Sequence, residues 1–193
     1  MTSRNFLSGI LPFLVMMLGM GLVGCQGGDD TASIKEKEAA YRAATSGAQN
    51  MDPAEKQAIQ RDLAEAYMAY SAEHPTDPQA PEYLYRAGEM FETNLADFQK
   101  AIDVFDQITT KYPDTKRAPD ALFRKAYIYH NYFQNFEEAK ALFSSFIETY
   151  PDDELVPSAE FEIKYMGVPN DELLDKIRKD SSVQEESDEF SGS

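Results

Sequence analysis

Moved by 38 in its own numbering, so that Ala80 falls on Ala118, this chain lies on itself without a gap, and that constrains its fold more than any other feature. Ala80, Pro81, Leu84, Arg86, Phe98, Ala101, Phe105, Tyr112, Pro113 and Asp114 recur as Ala118, Pro119, Leu122, Arg124, Phe136, Ala139, Phe143, Tyr150, Pro151 and Asp152, which is 10 identities in 35 positions. Ordinary residue frequencies give about two by chance. The register extends outward, because Pro75 stands before Pro113, and Pro157 after Pro119, by the same interval. A fixed period in this range marks a stacked array of helical units, in which one unit cannot bury both its faces and needs neighbours.

Each unit reads as two helices. Pro81 begins the first, where a missing N–H costs nothing. Leu84, Ala87, Gly88 and Phe91 follow on one helical face. Asn94 to Asp97 forms the turn, with Asp97 as N-cap. Ala101, Phe105 and Ile108 form the face of the second helix. Tyr112-Pro113-Asp114 ends it, because Pro113 cannot donate the next helical hydrogen bond. The second unit repeats the scheme with Leu122, Ala126 and Tyr129, then Asn135 and Glu138 as a capping pair, then Ala139, Phe143 and Phe146. Gly88 and Ala126 are expected to lie opposite Ala101 and Ala139 so that the two backbones approach, with Phe105 and Phe143 filling space toward the next repeat.

Flanking segments continue the array. Residues 53–74 carry Ile59, Leu63, Ala66, Tyr67 and Tyr70 on one stripe, and Asp52-Pro53-Ala54-Glu55 is a start signal. Residues 33–46 read as a more polar helix, 158–166 as a further first helix, and 171–179 as a short closing helix after Gly167-Val168-Pro169-Asn170. The expectation is an all-α solenoid of about eight helices and no sheet. Its domain spans 33–179, with full repeats at about 80–117 and 118–156. Residues 25–32 read as a flexible tether. Residues 180–193, with five acids and no basic residue, read as a disordered tail.

The amino end carries a different message. Basic Arg4, an apolar run from Leu7 to Val23, and Leu22-Val23-Gly24-Cys25 follow the order of a bacterial lipoprotein signal, and Cys25 is the only cysteine. The last four residues resemble the lipobox. That resemblance implies removal of residues 1–24 as a signal peptide and a diacylglyceryl group on the Cys25 thiol, with acyl chains such as palmitate as the anchor. Each buried methylene contributes about 0.8 kcal/mol, so two or three chains hold the protein firmly. Gln26 after the cysteine, rather than Asp, implies sorting to the outer membrane. A periplasm-facing body is the preferred orientation; Gln-Gly-Gly-Asp-Asp also resembles, more weakly, an export signal to the cell surface.

Composition narrows the function. With 34 acidic and 18 basic residues the formal charge is −16, so phosphate backbones are repelled and nucleic acid is not an expected partner. His74 and His130 are the only histidines, and neither sits in a metal-spaced cluster. No phosphate-binding Gly-rich loop or nucleophile elbow is present. Neither an enzyme nor a bound cofactor or metal is expected, the covalent lipid apart.

The positions of Leu84, Ala87, Gly88, Phe91, Ala101, Phe105, Ile108 and Pro113, and of Leu122, Lys125, Ala126, Tyr129, Ala139, Phe143, Phe146 and Pro151, resemble the tetratricopeptide repeat. The period is 38 rather than 34, with one residue added within the hairpin and three after the proline; Lys125 stands where an apolar residue is usual. The Tyr-Pro-Asp ending is similar to an envelope subgroup. That subgroup includes the lipoprotein subunit of the outer-membrane β-barrel assembly machine and the periplasmic coordinator associated with the Tol–Pal system. The resemblance implies a concave groove lined by the first helix of each repeat. Tyr85, Phe123 and Phe161 form one candidate row of contacts, Glu89, Tyr127 and Tyr165 a second, and Glu92 and His130 a third. Aromatics grip a peptide at small entropic cost, and the acids favour a basic one. Aromatics at helical spacing also serve as interhelix packing, and both roles are open for each residue. The expected function is a membrane-anchored adaptor that binds an envelope protein or peptide. The alternatives are a subunit of the barrel-assembly machinery and a surface lipoprotein that takes a nutrient or glycan.

Overall fold

The structure is a computed structural model that describes residues 30–46, 51–169 and 171–180. The lipobox, the amino-terminal part of the tether and residues 181–193 lie outside these. The described residues form helices and turns, with no strand among them: α1 (Asp30–Ser46), α2 (Pro53–Glu73), α3 (Ala80–Glu89) continuing into a π-helical turn (Met90–Asn94), α4 (Phe98–Lys111), α5 (Arg117–Asn131), α6 (Phe136–Thr149), α7 (Val156–Tyr165) and α8 (171–180). Each helix from α1 to α6 packs on the next, and α3 also packs on α5. The result is a succession of hairpins in one α-solenoid rather than a closed bundle, because each hairpin buries its apolar sides against its neighbours. No helix among the described residues is long and apolar enough to cross a membrane.

The period is written into the backbone three times. His74, Tyr112 and Tyr150 donate N–H bonds to Tyr70, Ile108 and Phe146. Asp77, Thr115 and Asp153 then donate to His74, Tyr112 and Tyr150, and Ala80, Ala118 and Val156 donate to Asp77, Thr115 and Asp153. Within each of these three sets the donors are separated by the sequence period itself. Helix α2 therefore occupies the place of a second helix, and α7 that of a first helix, although neither belongs to a full sequence repeat. Asp77 and Asp153 brace these links by accepting from the N–H two residues on, at 2.7 and 2.9 Å.

The residue added within each hairpin is accommodated by a widened turn. Leu95 donates to Met90 at 3.1 Å and Phe133 to Ile128 at 3.3 Å, each spanning five residues. Asp97 then donates to Phe91 and Asn135 to Tyr129, each spanning six. Closing that loop forces the intervening residue into the left-handed region, at φ 50° for Ala96 and 51° for Gln134. The expected caps follow: Asp97 accepts from the Lys100 N–H and Asn135 from that of Glu138, at 3.3 and 3.2 Å.

Core residues fall into two groups that meet in α5. Leu63, Leu84, Phe91, Phe105, Ile108, Ala121 and Ile128 belong to the first, and Ala126, Phe143, Phe146 and Ala159 to the second. The stripe on α2 is rotated from the expected one. Leu63, Tyr67 and Tyr70 are buried together with Gln60, Ala64 and Ser71, whereas Ile59 and Ala66 are half-buried, because α1 and α3 cover α2 from two sides. The small residue at 88 also has a different role. A Cβ there would come within 2.5–2.9 Å of the Phe105 ring, so Gly88 admits that ring inside its own hairpin.

Two boundaries differ from expectation. Residues 30–32, assigned to the tether, already belong to α1. Asp180, assigned to the tail, belongs to α8 and is held by Lys164 at 3.0 Å and by the Tyr165 hydroxyl at 3.1 Å. The polar character of α1 is as expected: over residues 31–46 only Ile34 and Ala44 are buried, and the helix is fixed by polar contacts from Lys37 to Asp62 and from Tyr67 to Glu38. Burial and the Glu38 carboxylate push the Tyr67 hydroxyl up to about 12.

Candidate functional site

Helices α3 and α5 lie side by side, and their facing residues build a cavity of about 540 Å³. Tyr85 and Glu92 come from α3 and its π-helical turn. Asp120, Phe123, Arg124 and Tyr127 come from α5, Tyr132 from the hairpin turn, and Glu154 and Leu155 from the link before α7. Phe123 stands edge-on to Phe143 and Phe146, with ring centroids at 5.3 and 5.7 Å, which fixes it from behind. Tyr132 stacks on Phe98 at 3.8 Å and meets Tyr127 edge-on at 6.5 Å.

Arg124 organises the floor. Its Nη1 donates to Glu92 and its Nη2 to Glu89, both at 2.9 Å, and its Nε to the Tyr85 hydroxyl at 3.3 Å. Burial alone works against the charge on Arg124; Tyr85, Glu92 and Glu89 more than offset it, so the guanidinium stays protonated. Burial raises Glu92 above the ordinary carboxylate range, with Arg124 opposing the shift. A second arginine, Arg117, lies over the Tyr85 ring at 4.3 Å and binds Glu82 at 2.7 Å and Asp120 at 2.8 Å. Its hydrogen bonds hold Glu82 below the ordinary range.

A side-chain contact recurs at the same two positions one repeat later, with the acid now on the later helix. The repeat equivalents of Glu92 and Arg124 are His130 and Glu162, whose Nδ1 and Oε2 are 2.7 Å apart. A second cavity, of about 530 Å³, precedes the first along the same face and is lined by Glu38, Tyr41, Tyr67, Arg86, Glu89 and Asn94 among others. Arg86, Glu89 and Asn94 are the repeat equivalents of Arg124, Tyr127 and Tyr132.

The eight candidate contacts are thus distributed unevenly. Tyr85, Glu92, Phe123 and Tyr127 converge on the cavity between α3 and α5, while Glu89 lies on the second. His130 borders a polar recess with Asn131, Gln134 and Phe136. Phe161 is exposed on α7, with its ring against that of Tyr165 at 4.7 Å. Tyr165 is buried and turns toward α8 through its bond to Asp180. Glu89 and Glu92 do not stand as free acids, since Arg124 is ion-paired with both. Arg124, Asp120, Tyr132, Glu154 and Leu155 were not among the expected contacts. Arg124 was legible as a repeat identity with Arg86; the others lie where their approach to the groove depends on hairpin geometry. Among the described residues no group of three or more His, Cys, Asp or Glu is placed to hold a metal.

A comparison with curated proteins finds no match. Residues 82–115 and 120–153, offset at both ends by the period read from the sequence, match the tetratricopeptide repeat family model, and the protein therefore contains tetratricopeptide repeats.

Proposed function

We propose that this protein is a tethered adaptor of the bacterial envelope: its solenoid binds a segment of a partner protein in the concave groove, and lipid on Cys25 holds it to the outer membrane, body toward the periplasm. The repeat match makes protein–protein interaction the general role. The observation that carries the finer reading is the cavity between α3 and α5, in which Tyr85, Phe123, Tyr127 and Tyr132 present rigid aromatic walls. Such rings supply contact area at low entropic cost, and their support by Phe143, Phe146 and Phe98 keeps them pre-organised.

The test is crosslinking in detergent-solubilised membranes, followed by identification of co-purified proteins. Phe123→Ala with Tyr127→Ala abolishes partner capture while the melting temperature moves little. A collapse of the helical signal in the double variant instead assigns both residues to packing. The anchor is tested on its own: mass spectrometry of the bacterial product finds Cys25 acylated at the new amino terminus, and Cys25→Ser releases the protein from membranes.

A further inference from the structure

We infer that the cavity between α3 and α5 receives an arginine side chain from an extended segment of the partner. The inference rests on the groove being the binding face, as proposed above, and adds what enters it.

The wall chemistry selects the occupant. Phe123, Tyr127 and Tyr132 offer ring faces and edges at which an aliphatic stem packs and a planar guanidinium stacks. Three carboxylates line the cavity, at Glu92, Asp120 and Glu154, against one guanidinium at Arg124. The carboxylate of Glu92 is bound to Arg124 and that of Asp120 to Arg117. Glu154 is exposed at the rim and has no ion-pair partner among the described residues. A cation is therefore the species this rim can neutralise.

An anion is not accommodated. Arg124 has Nη1, Nη2 and Nε engaged by Glu92, Glu89 and Tyr85, and Arg117 is divided between Glu82 and Asp120. Neither has its fork free for a carboxylate of the partner. A purely apolar occupant would strip water from Glu154 without a compensating bond. The formal charge of −16 adds a long-range field that draws basic segments in.

Fluorescein-labelled pentapeptides Gly-Ser-X-Ser-Gly, with X as Arg, Lys, Leu or Glu, test this against the full chain in detergent micelles, read by anisotropy. The Arg peptide binds about 10-fold more tightly than the Leu peptide, which is about 1.4 kcal/mol. The Lys peptide lies between them, and the Glu peptide binds weakest. Glu154→Gln weakens the Arg peptide about 5-fold and leaves the Leu peptide unchanged; as an exposed residue, Glu154 is outside the core and this variant folds. Equal or tighter binding of the Leu peptide, indifference of the Arg peptide to Glu154→Gln, or no binding of the Arg peptide overturns the inference. Each of these results leaves the adaptor reading standing if Phe123→Ala with Tyr127→Ala still abolishes partner capture. Selective Arg binding together with undiminished capture by that double variant overturns the adaptor reading alone.

Discussion

Gly88 and Ala126 occupy equivalent positions, yet they are not interchangeable. At residue 88 the Phe105 ring fills the volume that a methyl group needs, with ring carbons 2.5–2.9 Å from the Cβ position. At residue 126 the methyl group is present and fully buried with Phe143 in the second core group. Gly88→Ala must displace an aromatic ring that is itself wedged against Tyr85 at 5.8 Å. Overpacking of this kind costs about 1–3 kcal/mol, and denaturant unfolding followed by circular dichroism measures it as a lowered midpoint. Ala126→Gly is destabilising for a different reason, a lost methyl and a looser helix, so the two substitutions do not offset each other.

Among the elements, the hairpin turns store conformational strain and the links do not. Ala96 and Gln134 adopt positive φ without the freedom of glycine, each just before the residue that caps the following helix. Left-handed backbone costs a non-glycine residue about 1 kcal/mol relative to glycine. Ala96→Gly and Gln134→Gly each raise stability by up to about 1 kcal/mol, and the pair adds, because the two turns belong to different hairpins. Thermal unfolding of the single and double variants checks both statements. Glu92 lies buried in the same widened turn and adds a bond to Arg124 on α5, which Glu89 of α3 also holds.

At the scale of the whole molecule, ion pairs stitch α1, α3 and α5 together. They run from Glu38 through Arg86 and Glu82 to Arg117, and beside them Arg124 joins Glu89 and Glu92. Such an array of charges makes stability pH-dependent. Glu82 is held below its ordinary value by Arg117, and Asp77 by the Tyr70 hydroxyl. Groups lowered by folding contribute stability above their unfolded pKa, and that stability is lost as the pH falls through their folded values. Glu92 has the opposite sign, because burial raises it: its charge costs most at neutral pH and least in acid. The melting temperature therefore falls as the pH drops below the ordinary carboxylate range, Glu82→Gln flattens that fall, and Glu92→Gln steepens it. A pH series of thermal melts on the three proteins decides the signs.

The order of helices was legible in the amino-acid sequence because periodicity, prolines and caps are local: Pro81, Asp97, Pro113 and Asn135 act within a few residues of themselves. The repeat register also announced stacking, since a hairpin with two apolar sides has no other way to cover them. Which side chains open onto the groove was not local. Tyr165 holds on α7 the place that Tyr127 holds on α5, yet Tyr127 lines the groove while Tyr165 turns toward α8. Glu89 and Glu92 read as free acids in the sequence, and it is folding that brings Arg124, from the next repeat, against both. Contacts of that kind depend on the angle between successive hairpins, and only the packed chain sets it.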